Sequence, residues 1–249
     1  VSHKSDMVLG RIPVMECLRA GKRTIHRLHL AREGKGLDAI RHAARGVPIE
    51  EHSREELDRM AGNTVHQGVI LEVSPLPLWD LKEWLQRPLP PDAMVVLLDG
   101  IEDPHNFGAI VRTAVACGAS GVIFGKDRAA PISPASAKAA AGAMEHIDLI
   151  PVTNLARAIQ ALQQAGFWVA GLEAEAEQSI WDADLKGRIA LALGNEGQGL
   201  RRLIRDRCDL RLRIPLPGPI TTLNVSVSAA IALGECLRQR NRTKPGFQS

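Results

Sequence analysis

Short apolar runs alternate with amphipathic stretches along most of this 249-residue chain, and that rhythm constrains the fold more than any other feature. Met94–Leu98 is apolar at every position, as expected of a parallel strand covered on both faces. Comparable runs lie at Gly121–Phe124, Ile147–Pro151, Phe167–Gly171, Arg188–Leu193 and Leu210–Ile214. Between them fall helical stretches: Phe107–Cys117, a small-residue segment near Ser136–Met144, the amphipathic Leu155–Ala165, and a basic helix near Leu200–Arg205. A long helix over about Asn224–Arg240 closes the series. Alternation of this kind predicts an α/β domain built on a parallel sheet over residues 93–249.

Upstream, the same reading gives a smaller α/β unit over residues 1–75. Helix Ile12–Ala20 stops at Gly21, and strand Ile25–Leu30 follows. Leu37–Arg45 is a helix ending at Gly46, with a short strand at Val47–Glu50. Ser53, followed three residues later by Glu56, has the capping-box form and opens a helix to about Ala61. Val69–Val73 closes the unit as a strand. Pro75, Pro77, Pro88, Pro90 and Pro91 crowd the next stretch, so residues 76–92 read as an interdomain linker. Leu78–Gln86, with Trp79 and Trp84, is a short helix within it.

Composition removes several classes. Aromatic residues are 3% of the chain and tyrosine is absent, which disfavours RNA binding on stacking platforms. Cys17, Cys117, Cys208 and Cys236 are far apart and read as reduced, buried thiols. Of eight histidines only His26 and His29 are near neighbours in sequence, so no metal site is expected. No apolar run approaches the ~20 residues of a membrane span. The leading Val-Ser-His-Lys-Ser-Asp has no hydrophobic signal region, which predicts a cytoplasmic protein, and its lack of an initiator methionine suggests missing or foreign leading residues. Charge is uneven: residues 1–76 carry net +2, 77–198 net −6 and 199–249 net +7, and residues 1–45 alone carry +6. Basic ends can be a phosphate footprint, with Arg19, Lys22, Arg23, Arg27, Lys35 and Arg41 as its N-terminal members. Basic residues scattered on solvated helices would give the same count.

Three segments place a Gly-, Asn- or Pro-rich loop between a strand and a helix, where ligands bind in open parallel sheets. In the first, Asp99–Arg112, Asn106 reads as a helix N-cap. Gly108 then admits a group to the helix N-terminus, and Arg112 follows in the next turns. In the second, Leu193-Gly-Asn-Glu-Gly-Gln-Gly-Leu200, the glycines have the wrong order for a dinucleotide fingerprint, but they allow close backbone approach. Glu196 there could orient a substrate or cap the next helix. In the third, Pro215, Pro217 and Pro219 shape an irregular loop before Thr221, Thr222, Asn224 and Ser226, a group that taken alone reads as capping chemistry.

In this order, the pattern N-x-G-x-x-x-R, then G-N-E-G-x-G, then I-P followed by L-N-V-S-V resembles the SpoU (TrmH) family of RNA ribose 2′-O-methyltransferases, across essentially all of 93–240. The resemblance implies a SPOUT fold, a parallel α/β domain with a deep trefoil knot at its C-terminal end; neither composition nor periodicity indicates a knot, and knots are rare. Gly10–Leu18 and Val65-His-Gln-Gly-Val69 resemble the N-terminal domain of the RlmB-type large-subunit rRNA enzymes, a small ribosomal-protein-like RNA-binding domain. That subgroup methylates a guanosine of the peptidyl-transferase centre of 23S rRNA.

Carried over by motif, the resemblance implies catalytic roles for Asn106, Arg112, Glu196, Thr222, Asn224 and Ser226. It implies binding of S-adenosylmethionine at Gly171, Gly194, Ile214, Leu216 and Leu223. Thr222 stands where many relatives have serine, which keeps the hydroxyl but restricts its rotamers. The partners implied are RNA and a second copy of the chain, with no metal and no membrane. The reaction is in-line attack of a ribose 2′-hydroxyl on the sulfonium methyl. A guanidinium, with a pKa above about 12, is a poor base, which favours Arg112 as phosphate clamp and electrostatic activator; proton acceptance by Arg112 stays open. A tRNA ribose methyltransferase is the alternative within the class. A catalytically silent RNA-binding protein would be expected to have lost some of Asn106, Arg112, Glu196 and Asn224. A nucleotide-dependent oxidoreductase lacks its G-x-G-x-x-G.

Overall fold

The computed structural model describes residues 5–34, 36–62, 64–126, 132–219 and 221–241. The chain divides into two compact units, one of residues 1–77 with 141–146, the other of residues 78–140 with 147–249.

The small unit contains β1 (Asp6–Leu9), α1 (Arg11–Ala20), β2 (Ile25–Ala31), α2 (Asp38–Ala43), β3 (Ile49–His52), α3 (Arg54–Ala61) and β4 (Val69–Val73). Its sheet has the order β1-β4-β2-β3; β4 runs antiparallel to both neighbours and β3 parallel to β2. Strand β1 escaped the sequence reading because four residues with two polar neighbours carry little periodicity. The expected capping box is present: the Ser53 Oγ accepts from the Glu56 amide at 3.2 Å, and Glu56 Oε2 accepts from the Ser53 amide at 2.7 Å. Val14, Cys17, Leu28, Leu30, Leu37, Ile40, Val69, Leu71 and Val73 form the core on one face of the sheet. Leu57, Ala61 and Ile70 pack on the other.

Several cations expected at an RNA surface are used inside this unit. The Arg23 guanidinium donates to Asp6 at 2.8 Å, to the Ser74 carbonyl at 2.7 Å and to Glu145 at 3.0 Å, and the Arg23 and Glu145 side chains are only 5% and 6% exposed. Arg19 pairs with Glu16, Arg41 with Glu51 and Arg27 with Glu50. Lys35 lies outside the described residues.

The large unit holds α4 (Leu81–Leu85), β5 (Met94–Asp99), α5 (Pro104–Ala116), β6 (Gly121–Gly125), α6 (Pro134–Ala140), β7 (Asp148–Val152), α7 (Leu155–Gln164), β8 (Trp168–Leu172), β9 (Gln178–Ser179), β10 (Ile189–Gly194), α8 (Arg202–Arg205), β11 (Leu210–Arg213) and α9 (Val225–Asn241). The expected parallel sheet is there, in the order β7-β6-β5-β10-β8-β11-β9. Successive strands run outward from β5 to β7, then the chain crosses to the other side. The topological switch point therefore lies between β5 and β10, where ligands bind in open α/β sheets.

Four expectations change. The stretch read as a linker, 76–92, mostly belongs to the large unit: Trp84 is fully buried in its core, and its indole N–H donates to Asp148 at 3.0 Å. Prolines flank α4 without interrupting it, and so leave that packing possible. Second, α6 ends at Ala140, where Ala141 and Gly142 take positive φ, and a 3₁₀ turn over Ala143–His146 replaces the expected continuation to Met144. Third, α5 starts earlier than expected: Asp103 is its N-cap, accepting from the His105 amide at 2.9 Å, with Pro104 at the first helical position. Asn106 is thereby freed from capping. Fourth, Gly108 serves helix packing and not an anion, since a Cβ there would lie 2.4 Å from the Ser136 carbonyl oxygen and 2.6 Å from the Ala139 Cβ. Cys17, Cys208 and Cys236 are free thiols, and burial pushes each up to about 12, so they stay protonated.

Two consequences for stability can be measured by denaturant unfolding. Gly108→Val is expected to cost about 3 kcal/mol or more, because backbone atoms of α6 cannot move aside as a flexible side chain would. Arg23→Ala is expected to cost about 3–5 kcal/mol by leaving the Glu145 carboxylate buried and unpaired. Loss below about 1 kcal/mol in either variant contradicts the packing described.

Candidate active site

All three motif loops converge at the carboxyl ends of the large unit's strands. Asp99, the last residue of β5, is in register with Gly194, the last residue of β10. Beyond Gly194 the chain makes a tight return in which Asn195 and Gly199 exchange backbone hydrogen bonds at 3.1 and 2.8 Å. A Cβ at Gly194 would stand 2.0 Å from the Gly199 carbonyl carbon, so only glycine fits. The return is pinned on both sides. Asn195 donates its side-chain amide to the Gly100 carbonyl at 2.9 Å, and the Arg201 amide and Nε donate to the buried Asp99 carboxylate at 2.9 and 2.6 Å. The first and second motifs are thus one structure.

The third joins them through side chains. Asn106, buried in the first turn of α5, donates from Nδ2 to Glu196 Oε1 at 2.9 Å. Asn224 Nδ2 reaches both Asn106 Oδ1, at 3.1 Å, and Glu196 Oε1. The Asn224 Oδ1 accepts from the Ser226 amide at 2.9 Å and the Ser226 hydroxyl at 2.6 Å, capping the start of α9. Four of the predicted residues, Asn106, Glu196, Asn224 and Ser226, therefore form one polar cluster. Capping and clustering are not alternatives for Asn224, because its oxygen does one and its nitrogen the other.

A cavity of about 390 Å³ lies beside the cluster. The second-motif loop from Gly194 to Leu200 forms one wall, and Leu212, Ile214, Leu216, Thr222 and Leu223 another. Of the predicted cofactor residues, Gly194, Ile214, Leu216 and Leu223 line it. Gly171 does not: it sits behind the wall, where a Cβ would meet Leu200 at 2.7 Å and the Cys208 sulfur at 2.9 Å. Its neighbours Leu172 and Glu173 line the cavity instead. Thr222 faces the cavity from an exposed position.

Glu173 and Arg205 were missed by the sequence reading. Glu173 follows β8 directly, at the same carboxyl edge as the motif loops, and that position was the available signal. Burial pushes its carboxyl pKa upward, against the pull of Arg205, whose Nε lies 3.7 Å away. Arg112 stands apart from the cluster. It is exposed on α5, seven residues after His105 and so on that residue's face, about a third of a turn from Asn106. Among the described residues none forms a hydrogen bond or ion pair with it. No helix among the described residues is long and apolar enough to cross a membrane.

Comparison with known proteins gives the chain's relatives. Residues 93–234 match the SpoU rRNA Methylase family, and residues 7–79 match the RNA 2′-O ribose methyltransferase substrate binding family. A 23S rRNA (guanosine-2′-O-)-methyltransferase RlmB from Pseudomonas aeruginosa is 42% identical over 244 residues, covering 94% of this chain and 97% of its own. The RlmB of Escherichia coli is 39% identical over 249 residues, covering 95% and 100%. Among solved structures, the AdoMet-bound rRNA methyltransferase from Sinorhizobium meliloti has a TM-score of 0.77 at 25% identity, covering 94% of this chain and 87% of that one. The SpoU methyltransferase AviRb from Streptomyces viridochromogenes reaches 0.81 at 24% identity, covering 97% and 92%, a likeness of fold. With both family models matched in order and curated relatives aligned almost end to end, the chain belongs to the SpoU family of RNA 2′-O-ribose methyltransferases.

Proposed function

We propose that this protein transfers a methyl group from S-adenosylmethionine to the 2′-hydroxyl of a guanosine in 23S rRNA, in the cytoplasm and as a homodimer. The observation that carries the reading is the Asn106–Glu196–Asn224 cluster, which draws all three family motifs to the rim of one cavity at the sheet's switch point. Near end-to-end similarity to RlmB enzymes supports the choice of 23S rRNA.

The cavity fits a nucleoside with a charged tail. Leu212, Ile214, Leu216 and Leu223 offer apolar walls, the Gly194–Gly199 loop offers backbone groups at close range, and Glu173 and Glu175 offer carboxylates. Bound there, S-adenosylmethionine supplies a methyl group already activated by its sulfonium. The protein's task is then to position the ribose hydroxyl and favour its deprotonation. Asn106 and Asn224 both donate to Glu196 Oε1, which holds that carboxylate at the cavity mouth. The Asn224–Ser226 cap fixes the start of α9 against the same point. Arg112, exposed and unengaged among the described residues, is the cation available to hold an RNA phosphate and to stabilise the developing alkoxide. In this reading the chain also carries the deep trefoil knot at its C-terminal end that the family resemblance implies. The packing of α9 against α5, after β11 has entered the sheet beyond β8, is consistent with that path. Residues 1–75 recruit RNA, a role the substrate-binding family match supports.

Mapping of ribose methylation in 23S rRNA and tRNA from cells lacking and then regaining the protein tests the reading directly. One guanosine of 23S rRNA is expected to lose and recover its methyl; a site in tRNA alone refutes the assignment.

Two variants test the division of labour. Arg112→Ala is expected to lower methyl transfer by about 100-fold or more while leaving cofactor affinity unchanged. If Arg112 clamps a phosphate, the log–log salt dependence of RNA binding also falls by roughly 0.7–0.9; an unchanged slope removes the clamp and leaves Arg112 a role at the reacting oxygen alone. Gly194→Val is expected to abolish cofactor binding, measured by calorimetry, in a protein whose circular dichroism is native, because the side chain must displace the Gly199 backbone. Normal affinity in that folded variant contradicts the pocket.

A further inference from the structure

His29 on β2 and His52 on β3 are far apart in sequence, yet the parallel pairing brings them together. In the register, His29 stands opposite Glu50, and Ala31 opposite His52, so His29, Glu50 and His52 share one face of the sheet. His29 Nδ1 and His52 Nε2 are 3.0 Å apart, and each lies 3.6 Å from Glu50 Oε2. Three atoms held by a tetrahedral zinc ion at roughly 2.0–2.1 Å stand about 3.3–3.4 Å from one another. This triangle brackets that spacing. Among the described residues it is the one His, Cys or carboxylate group with metal-ligand geometry.

Carboxylates also stand beyond both rings. Each ring turns its other nitrogen to a separate carboxylate: His29 Nε2 lies 3.9 Å from Glu72 Oε2, and His52 Nδ1 lies 3.9 Å from Glu56 Oε2. A histidine that binds metal through one nitrogen carries its proton on the other, and a carboxylate there fixes the tautomer. His29 is only 4% exposed, and its Nε2 is a buried polar atom without a hydrogen bond. Arg27 engages Glu50 through Oε1 and leaves Oε2 turned to the histidines. His52 and Glu50 are partly exposed, which opens a path for an ion and for a water as fourth ligand.

We propose that His29, Glu50 and His52 form a zinc-binding site in the small unit, with Glu72 and Glu56 orienting the two rings. Two nitrogens and one carboxylate suit zinc, whereas magnesium prefers an all-oxygen shell. The ion would staple β3, a four-residue edge strand, to β2. It would also anchor the start of α3, since His52 directly precedes the Ser53 cap.

Isothermal titration of the full chain, stripped of metal with a chelator, tests this with zinc ion alone, with magnesium ion as control. One zinc per chain and no magnesium uptake are expected, together with a rise in the thermal midpoint. His52→Gln is expected to weaken binding by about 100-fold, and Glu72→Gln by about tenfold through the lost hold on His29. His52 is partly exposed, so its replacement leaves folding intact, which circular dichroism checks. Cobalt substitution provides a second reading, because a tetrahedral site gives intense visible absorption that His52→Gln should remove. Failure of the unsubstituted chain to take up one zinc overturns the proposal. So does equal affinity in His52→Gln, which would place the ion elsewhere, on the cysteines or other histidines.

Discussion

Gly194 ends β10 in register with Asp99 at the end of β5, and no side chain fits between it and the returning Gly199 backbone. This close return is the constraint on which the active-site end depends. It turns the second motif back over the sheet, where Asp99 can hold Arg201 and Gly100 can accept from Asn195. With the loop fixed in that way, Glu196 projects to the one place where amides from α5 and from the start of α9 can both reach it. The glycines therefore act first on the protein's own backbone and only through it on a ligand.

The cluster built on that loop divides the chemistry by element. Asn106 and Asn224 are neutral and spend their hydrogen-bonding capacity on one another, on Glu196 and on the α9 cap. Such a network sets positions and adds no net cation. Positive charge for RNA must come from side chains outside it, and Arg112, exposed on a different face of α5, has that freedom. In the small unit the situation is reversed. Arg19, Arg23, Arg27 and Arg41 are basic in the sequence, but each is neutralised by a carboxylate. The +6 of residues 1–45 thus overstates the phosphate footprint, because Glu50, Glu51 and Glu145, which offset part of it, lie outside that stretch of sequence.

The misplaced boundaries share a cause. Prolines around Trp84 read as a break, yet Trp84 is among the largest fully buried side chains in the molecule. Proline breaks only the element it sits in, and α4 lies between the prolines. At α5 the helix begins at the Asp103 cap, three residues before Asn106, because the proline at the first helical position starts it there. The sequence reading placed the cap at Asn106 and passed over the Asp103-Pro104 pair, which was the local signal for the earlier start.

The sequence by itself determined the α/β class, the parallel sheet and the three loops set between a strand and a helix. Those are local matters of apolar period, capping and turn chemistry, and each can be read within about ten residues. It also marked Asn106, Glu196, Asn224 and Ser226, through motifs that resemble a known family. Only the tertiary structure decided that these four touch and that Arg112 does not touch them. It also showed that Gly171 and Gly108 serve packing, and it brought Glu173 to the cavity wall. The pairing of His29 with Glu50 and His52 belongs to the same class, because strand register is set by the order of the sheet and leaves no trace in the spacing of residues along the chain.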